Sequence, residues 1–119
     1  MQTTTSKDSN TKQPTGNTET NCDQLPTSFS SYDDAISAVK AATFKIQETL
    51  NTSKSSWIRG ASYYSCDGIT GYMIIETDEK EYLHQGVPIS LWNQFKVAAS
   101  FGSFYDHNFK HRYRFYLTQ

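Results

Sequence analysis

The chain has 119 residues, with 11 Lys and Arg against 12 Asp and Glu, so its formal net charge is −1. This length is typical of one domain and excludes a multi-domain machine. The balanced charge excludes strong overall attraction to a polyanion, so nucleic-acid binding would need a local patch. There is neither an apolar run near the ~20 residues of a membrane span nor a secretory signal, so we predict a soluble, cytoplasmic protein without a membrane partner.

The first 31 residues differ in composition from the rest, because they contain 19 Ser, Thr, Asn and Gln and only four apolar residues. Such a segment cannot bury enough apolar surface to offset the ~1–2 kcal/mol per residue of backbone ordering. We predict a disordered polar tail over 1–31 and a single domain over 32–119. The two cysteines, Cys22 and Cys66, do not make a disulfide framework, and neither has a partner at metal-ligand spacing.

The domain begins with a predicted helix over 32–42. Ser31 precedes it as a cap for an early backbone N–H, and Ile36 and Val39 repeat at helical spacing. Over 44–51 an apolar/polar alternation favours a strand, although a continued helix also fits. Three better marked strands follow as an antiparallel meander, over residues 57–65, 71–77 and 81–85.

Two helices and a last strand complete the predicted domain. Pro88 starts the main helix, over about 88–100, and its Trp92 and Phe95 face the sheet. Gly102 is a plausible stop, and a short helix extends from Ser103 to about residue 108. From Phe109 the alternation returns. It places one set of side chains on one face, Phe109, His111, Tyr113, Phe115 and Leu117, and another on the opposite face, Lys110, Arg112, Arg114 and Tyr116.

The predicted fold class is therefore α+β. It has a small antiparallel sheet of four to five strands, packed by one main helix at about 88–100, with an extra N-terminal helix at about 32–42.

Several short motifs occur in a defined order over about residues 55–115. They are Ser56-Trp57-Ile58, Tyr82-Leu83-His84, Gly86-Val87-Pro88 and Ser100-Phe101-Gly102-Ser103-Phe104-Tyr105, followed by Lys110 and Tyr113. This order resembles the KTSC domain, a small module found at the C-terminus of some lysyl-tRNA synthetases and as small bacterial proteins. His84 stands where that family usually has a second tyrosine. The resemblance implies a small α+β unit without known catalytic activity, and a suggested role in RNA binding.

The C-terminal residues carry the strongest independent signal for binding. On a strand, Lys110, Arg112 and Arg114 would lie on one face about 6.8 Å apart, a spacing that could follow a phosphate backbone. An exposed Tyr116 would add base stacking. The same alternation also fits a solvated, charged edge strand that resists aggregation. Three cations would give weak affinity and a shallow salt dependence.

Tyr82 and His84 share one face of their strand because side chains alternate. They could form an aromatic platform for a base together with one or more rings from neighbouring strands, Trp57, Tyr63 or Tyr72. The alternative is that these rings pack beneath the main helix as core.

The histidines suggest two further sites. His107 and His111 have the i, i+4 spacing of a metal pair, but a third ligand is missing, so we predict neither a metal nor a cofactor. His84 and His111 could act as general base and acid on RNA, with Arg112 or Arg114 stabilising the phosphorane, but nothing in the spacing brings them together.

The sequence thus predicts a non-enzymatic module that binds RNA or single-stranded nucleic acid weakly and with little sequence preference. The predicted contact residues are Lys110, Arg112, Arg114, Tyr82, His84 and Tyr116. Two alternatives stay open. A protein-interaction module would use the tail or the aromatic face, and a small nucleotide binder would have a closed pocket between the main helix and the sheet.

Overall fold

The computed structural model describes residues 21–26 and 29–114. The elements of this part of the chain are, in order, a 3-10 helix Cys22–Gln24, α1 Tyr32–Ala41, β1 Ile46–Leu50, β2 Gly60–Ser65, β3 Thr70–Glu76, β4 Glu81–Pro88, α2 Ile89–Lys96 and α3 Phe101–Asn108. The predicted α+β class is confirmed, with four strands. Among the described residues, no helix is both long and apolar enough to cross a membrane. Of the predicted tail over 1–31, residues 1–20, 27 and 28 lie outside the described residues.

The four strands form one antiparallel sheet in the order β1-β2-β3-β4. The predicted meander is confirmed, and residues 46–50 are strand rather than helix. Gly68 takes a φ of 77° in the β2–β3 turn, as its lack of a Cβ allows. Strand β4 continues to Pro88 instead of ending at residue 85, because Val87 still pairs with Gly71 across a bulge.

The face of the sheet under α2 and α3 carries an aromatic core. Trp92 is fully buried, and its ring stacks on Tyr63 at a centroid distance of 5.3 Å and an interplanar angle of 12°. Phe95 is also fully buried in this cluster. The prediction that Trp92 and Phe95 face the sheet is confirmed. The helix ends at Lys96 rather than near residue 100, and Ala99 is exposed.

The opposite face is covered by α1, which begins as predicted. The Ser31 hydroxyl accepts a hydrogen bond from the Asp34 N–H at 3.1 Å. The apolar stripe of α1, which includes Ile36 and Val39, packs in one cluster with Ile74 and Leu83 of the sheet. The sheet therefore lies between α1 on one face and α2 with α3 on the other.

A disulfide between Cys22 and Cys66 joins the chain ahead of α1 to the β2–β3 turn. The Cys22 N–H also donates to the Thr43 carbonyl at 3.0 Å, and Leu25 packs against the α1 cluster. The prediction of a disordered tail is wrong for residues 21–25, and the sequence reading missed this bond. A covalent link and local hydrogen bonds order this short segment although it buries little apolar surface.

The predicted last strand is wrong over residues 109–113, which are turns. The N–H groups of Phe109 and Lys110 both donate to the Tyr105 carbonyl, at 2.9 and 3.1 Å, and the Arg112 N–H donates to the Phe109 carbonyl at 3.1 Å. Phe109 is fully buried against the aromatic core while His111 is exposed, so the two do not share a face. Burial of the Phe109 ring holds the chain at the end of α3 instead of letting it extend.

Arg114 forms an isolated β-bridge with His84 of β4. It is the only described residue of the predicted last strand that does so. Tyr116, with the rest of 115–119, lies outside the described residues.

Candidate functional site

Two clefts adjoin along the C-terminal segment, residues 109–114, and both are lined by Arg114. We call the first the edge cleft; it has a volume of about 830 Å³, and Tyr82, His84 and Lys110 are among its lining residues. We call the second the aromatic cleft; it has a volume of about 630 Å³ and lies beside the Cys22–Cys66 bond. The second cleft is lined by three tyrosines and one further cation, Tyr64, Tyr72, Tyr113 and Arg112. The edge cleft is thus lined by Tyr82, His84, Lys110 and Arg114. Arg112 lines the adjoining aromatic cleft.

His84 forms part of the floor of the edge cleft and is only 4% exposed. Its Nδ1 lies 3.2 Å from the Tyr113 carbonyl and its Nε2 lies 2.9 Å from the Tyr105 hydroxyl. A carbonyl only accepts, so Nδ1–H donates to it and Nε2 accepts from Tyr105. Burial lowers the pKa of His84 to about 4, which keeps the ring neutral at pH 7, and burial also raises the pKa of Tyr105.

The two histidines considered for RNA cleavage do line the same cleft. Both nitrogens of His84 are nevertheless engaged within the fold, and a buried ring with so low a pKa is a weak general base. Arg112, one of the two cations considered for the phosphorane, lines the aromatic cleft instead. The geometry of His84 fits a positioning role better than proton transfer.

Tyr82 and Trp57 give the edge cleft its aromatic surface, and both are half-buried. Lys80 covers the Tyr82 ring, with Nζ 4.8 Å from its centroid. Trp57 meets the ring of Tyr105 edge-on at 5.7 Å. A Cβ on Gly102 would lie 2.4 Å from the Trp57 Nε1, so only glycine permits this close approach of α3. The indole is thereby held at the rim of the cleft.

The structure brings together only some of the rings of the predicted aromatic platform. Tyr82 and His84 share a face, as the alternation requires, and Trp57 lies in the same cleft. Tyr63 is wrong as a member, because it is fully buried beneath Trp92. Tyr72 is also wrong as a member, because it packs with the cluster on the opposite face of the sheet.

The outer edge of β4 is covered where it borders the edge cleft. The Tyr32 hydroxyl donates to the Leu83 carbonyl at 3.0 Å and accepts from the Leu83 N–H. Further along, the Gln85 N–H donates to the Tyr113 carbonyl at 3.1 Å. Edge strands left bare invite pairing with other chains, and these contacts block that here.

The two clefts differ in charge. The edge cleft has three cationic and four acidic side chains, Lys80, Lys110, Arg114, Asp33, Glu79, Glu81 and Asp106, and Glu81 is paired with Lys40. The aromatic cleft has Arg112 and Arg114 against Asp67. Anions therefore meet a near-neutral edge cleft and a slightly positive aromatic cleft.

The sequence analysis missed Tyr64 as a site residue and assigned Tyr72 to the wrong platform. The two residues are direct partners in the β2–β3 register, so their rings lie side by side on one face. Phe44 packs against both, at centroid distances of 5.5 Å and 6.2 Å. The signal that could have found them is the pair Tyr63-Tyr64, since alternation puts one of two neighbouring tyrosines on each face.

Neither a metal centre nor a closed pocket under the main helix is present among the described residues. There, no group of three or more His, Cys, Asp or Glu side chains could hold a metal ion. His107, one of the pair considered for a metal, has Nδ1 2.8 Å from the Ser103 carbonyl. The space between α2 and the sheet is filled by Trp92 and Phe95.

Comparisons with protein-family models, with characterised proteins and with solved structures find no match for this chain. The resemblance to the KTSC domain stays a prediction, which depends on the motifs themselves. These motifs contribute directly to the edge cleft: Trp57, the Tyr82–His84 stretch of β4 and the α3 residue Tyr105 all line it.

Proposed function

We propose that this protein is a non-enzymatic, KTSC-like module that binds RNA or single-stranded DNA along its C-terminal segment. The observation that carries the proposal is the placement of three cations. Lys110 lines the edge cleft, Arg112 lines the aromatic cleft and Arg114 lines both. The three cations thus line two adjoining clefts that also contain aromatic rings, although they do not lie on one strand face.

A single strand lying along the two clefts would place its phosphates on the cations. One base would lie against the half-buried ring of Tyr82, in place of the Lys80 ammonium that covers it. Lys110 and Arg112 are both exposed and form no ion pair with any described carboxylate, so both are available to an anion. Each phosphate neutralised on a single strand contributes about −0.7 to the slope of log affinity against log salt. With three phosphates at most, the expected slope is about −2, which is shallow, and the binding is weak.

The proposal that the module is not an enzyme is supported by His84. Its ring is neutral, buried and bonded at both nitrogens, so it holds Tyr105 and the C-terminal segment in place.

A cytoplasmic location stays a prediction, and the Cys22–Cys66 bond argues against a reducing compartment. Counting free thiols in the protein as isolated decides between a cytoplasmic and an oxidising location. No free thiol supports an oxidising location, and two free thiols support the cytoplasm.

The test is a fluorescence anisotropy titration with a labelled thymidine oligonucleotide of about ten nucleotides, at about 50 and 200 mM salt. The double variant Lys110→Gln with Arg112→Gln is expected to weaken binding about tenfold at the lower salt and to reduce the salt slope by about 1.4. Lys96→Gln is the matched control, since Lys96 is on α2, away from both clefts, where it pairs with Glu48 at 2.7 Å.

Unchanged binding by the double variant would show that the proposed surface is wrong. A mononucleotide that binds as tightly as the oligonucleotide would favour the small-nucleotide alternative over strand binding.

A further inference from the structure

We propose that the aromatic cleft is a second subsite, which takes the base of a neighbouring nucleotide between the Tyr64–Tyr72 pair and Arg112. This inference rests on the proposed function and names a subsite for it. The predicted contact residues of the sequence analysis included neither tyrosine. The argument depends on the rings, the charges and the space in the cleft.

The two rings are held ready for a planar ligand. Tyr64 and Tyr72 are partners across the β2–β3 register, and Phe44 supports both rings. Both tyrosines are half-buried, and within the described residues neither hydroxyl makes a hydrogen bond. Rings fixed by packing lose little conformational entropy when a base stacks on them, and the hydroxyls can bond to the base edge.

The charges in the aromatic cleft favour a phosphate. Arg112 is exposed, and none of the described carboxylates pairs with it. The one carboxylate in the cleft, on Asp67, already accepts hydrogen bonds from the N–H groups of Ile69 at 2.8 Å and Thr70 at 3.0 Å. Its charge is therefore partly balanced by the turn, and Arg112 provides the available charge beside the rings.

The cleft also has room for a nucleotide. Its volume of about 630 Å³ falls within the range of about 300–1,000 Å³ usual for small-ligand sites. Gly86 lines it with a φ of 70°, and a Cβ built there would meet no atom within 4 Å. The Cys22–Cys66 bond, which also lines the cleft, holds the segment that contains Cys22 beside Thr43. This segment therefore lies next to Phe44.

Base stacking can be separated from phosphate attraction by comparing two strands. One is the labelled thymidine oligonucleotide described above, and the other is an abasic strand of the same length. Tyr72→Leu is expected to weaken binding of the thymidine strand about 5- to 140-fold and to leave the abasic strand unchanged. Tyr72→Phe keeps the ring and is expected to restore most of the affinity.

Different binding results would overturn the subsite alone or the subsite together with the proposed function. If the wild-type protein binds and loses affinity with Lys110→Gln and Arg112→Gln, but not with Tyr72→Leu, the subsite is overturned and the proposed function stands. If the wild-type protein binds neither strand, both are overturned. If Tyr72→Leu does not fold by circular dichroism, the pair Tyr64→Leu and Tyr64→Phe decides by the same criterion.

Discussion

Two neighbouring tyrosines of β2 have opposite environments. Tyr63 is fully buried under Trp92, and its hydroxyl donates to the Val87 carbonyl at 2.7 Å. Tyr64 points to the other face, where it is half-buried and borders the aromatic cleft. Burial raises the pKa of Tyr63 to about 12, whereas the hydroxyl of Tyr64 has no hydrogen-bond partner among the described residues.

The two faces of this small sheet therefore have separate roles. The face under α2 and α3 packs aromatic rings against each other and leaves room for a ligand only at its edge, where Tyr82 lines the edge cleft. The face under α1 is covered only in part, because α1 and the disulfide-linked segment leave Tyr64 and Tyr72 accessible. Stability should therefore depend mainly on the interior of the first face, and binding on the Tyr82 edge of that face, on the second face and on the C-terminal segment.

The largest effect should follow removal of the central ring of the buried face. Trp92→Ala is expected to lower the free energy of unfolding by about 3–5 kcal/mol, because it leaves a cavity over Tyr63. The change also removes the hydrogen bond from the Trp92 Nε1 to Glu48, which measures 2.8 Å. Urea unfolding followed by circular dichroism gives the value. A loss below about 1 kcal/mol would contradict the central place of Trp92 in the core.

The disulfide gives the next effect, on the partly covered face. Cys22→Ser combined with Cys66→Ser opens a loop with a sequence separation of 44 and is expected to cost about 2–4 kcal/mol. It should also weaken oligonucleotide binding, since the bond forms one wall of the aromatic cleft, while tryptophan fluorescence of the folded variant stays as in the wild type.

The outcome that would contradict this separation of roles is a changed tryptophan fluorescence with unchanged binding. Reduction of the wild-type protein serves as the control, because it opens the same bond without a substitution.

The smallest effect is on the pH dependence of stability. It depends on His84, which belongs to the buried face. Its pKa of about 4 lies below the unfolded value of about 6.5, so the unfolded chain takes up a proton first as the pH falls. Neutral His84 makes its full contribution to the free energy of unfolding above pH 6.5. This contribution is lost between about pH 6.5 and 4, and the loss at pH 5 is up to about 2 kcal/mol.

The variant His84→Gln keeps a donor and an acceptor but does not titrate. Its loss of stability between pH 7 and pH 5, measured by urea unfolding, should be smaller than that of the wild type. Equal losses would place the ring in contact with water.

Local patterns were enough to predict most of the fold. The Ser31 cap and the spacing of Ile36 and Val39 predict α1. Alternation correctly predicts that Tyr82 and His84 share a face. Each of these features depends on neighbours in the sequence, so the residues themselves contain the information.

The features that failed depend on distant contacts. The alternation after Phe109 is that of a strand, but this ring is buried against Phe95 of α2 and His84 of β4, and the chain forms a turn instead. Cys22 and Cys66 have no spacing signal, because their pairing follows from where β1 and the β2–β3 turn meet. The Tyr64–Tyr72 pair needs the register of two strands, which a single sequence does not state.

The most direct measurement is an NMR titration of the aromatic ring signals with the unlabelled thymidine oligonucleotide. The account predicts that the ring resonances of Tyr64, Tyr72 and Tyr82 shift with increasing oligonucleotide, while those of Tyr63 and Trp92 stay in place. Binding that shifts Tyr63 and Trp92 but leaves Tyr64 and Tyr72 unmoved would contradict the assignment of the first pair to the core and of the second pair to the contact surface.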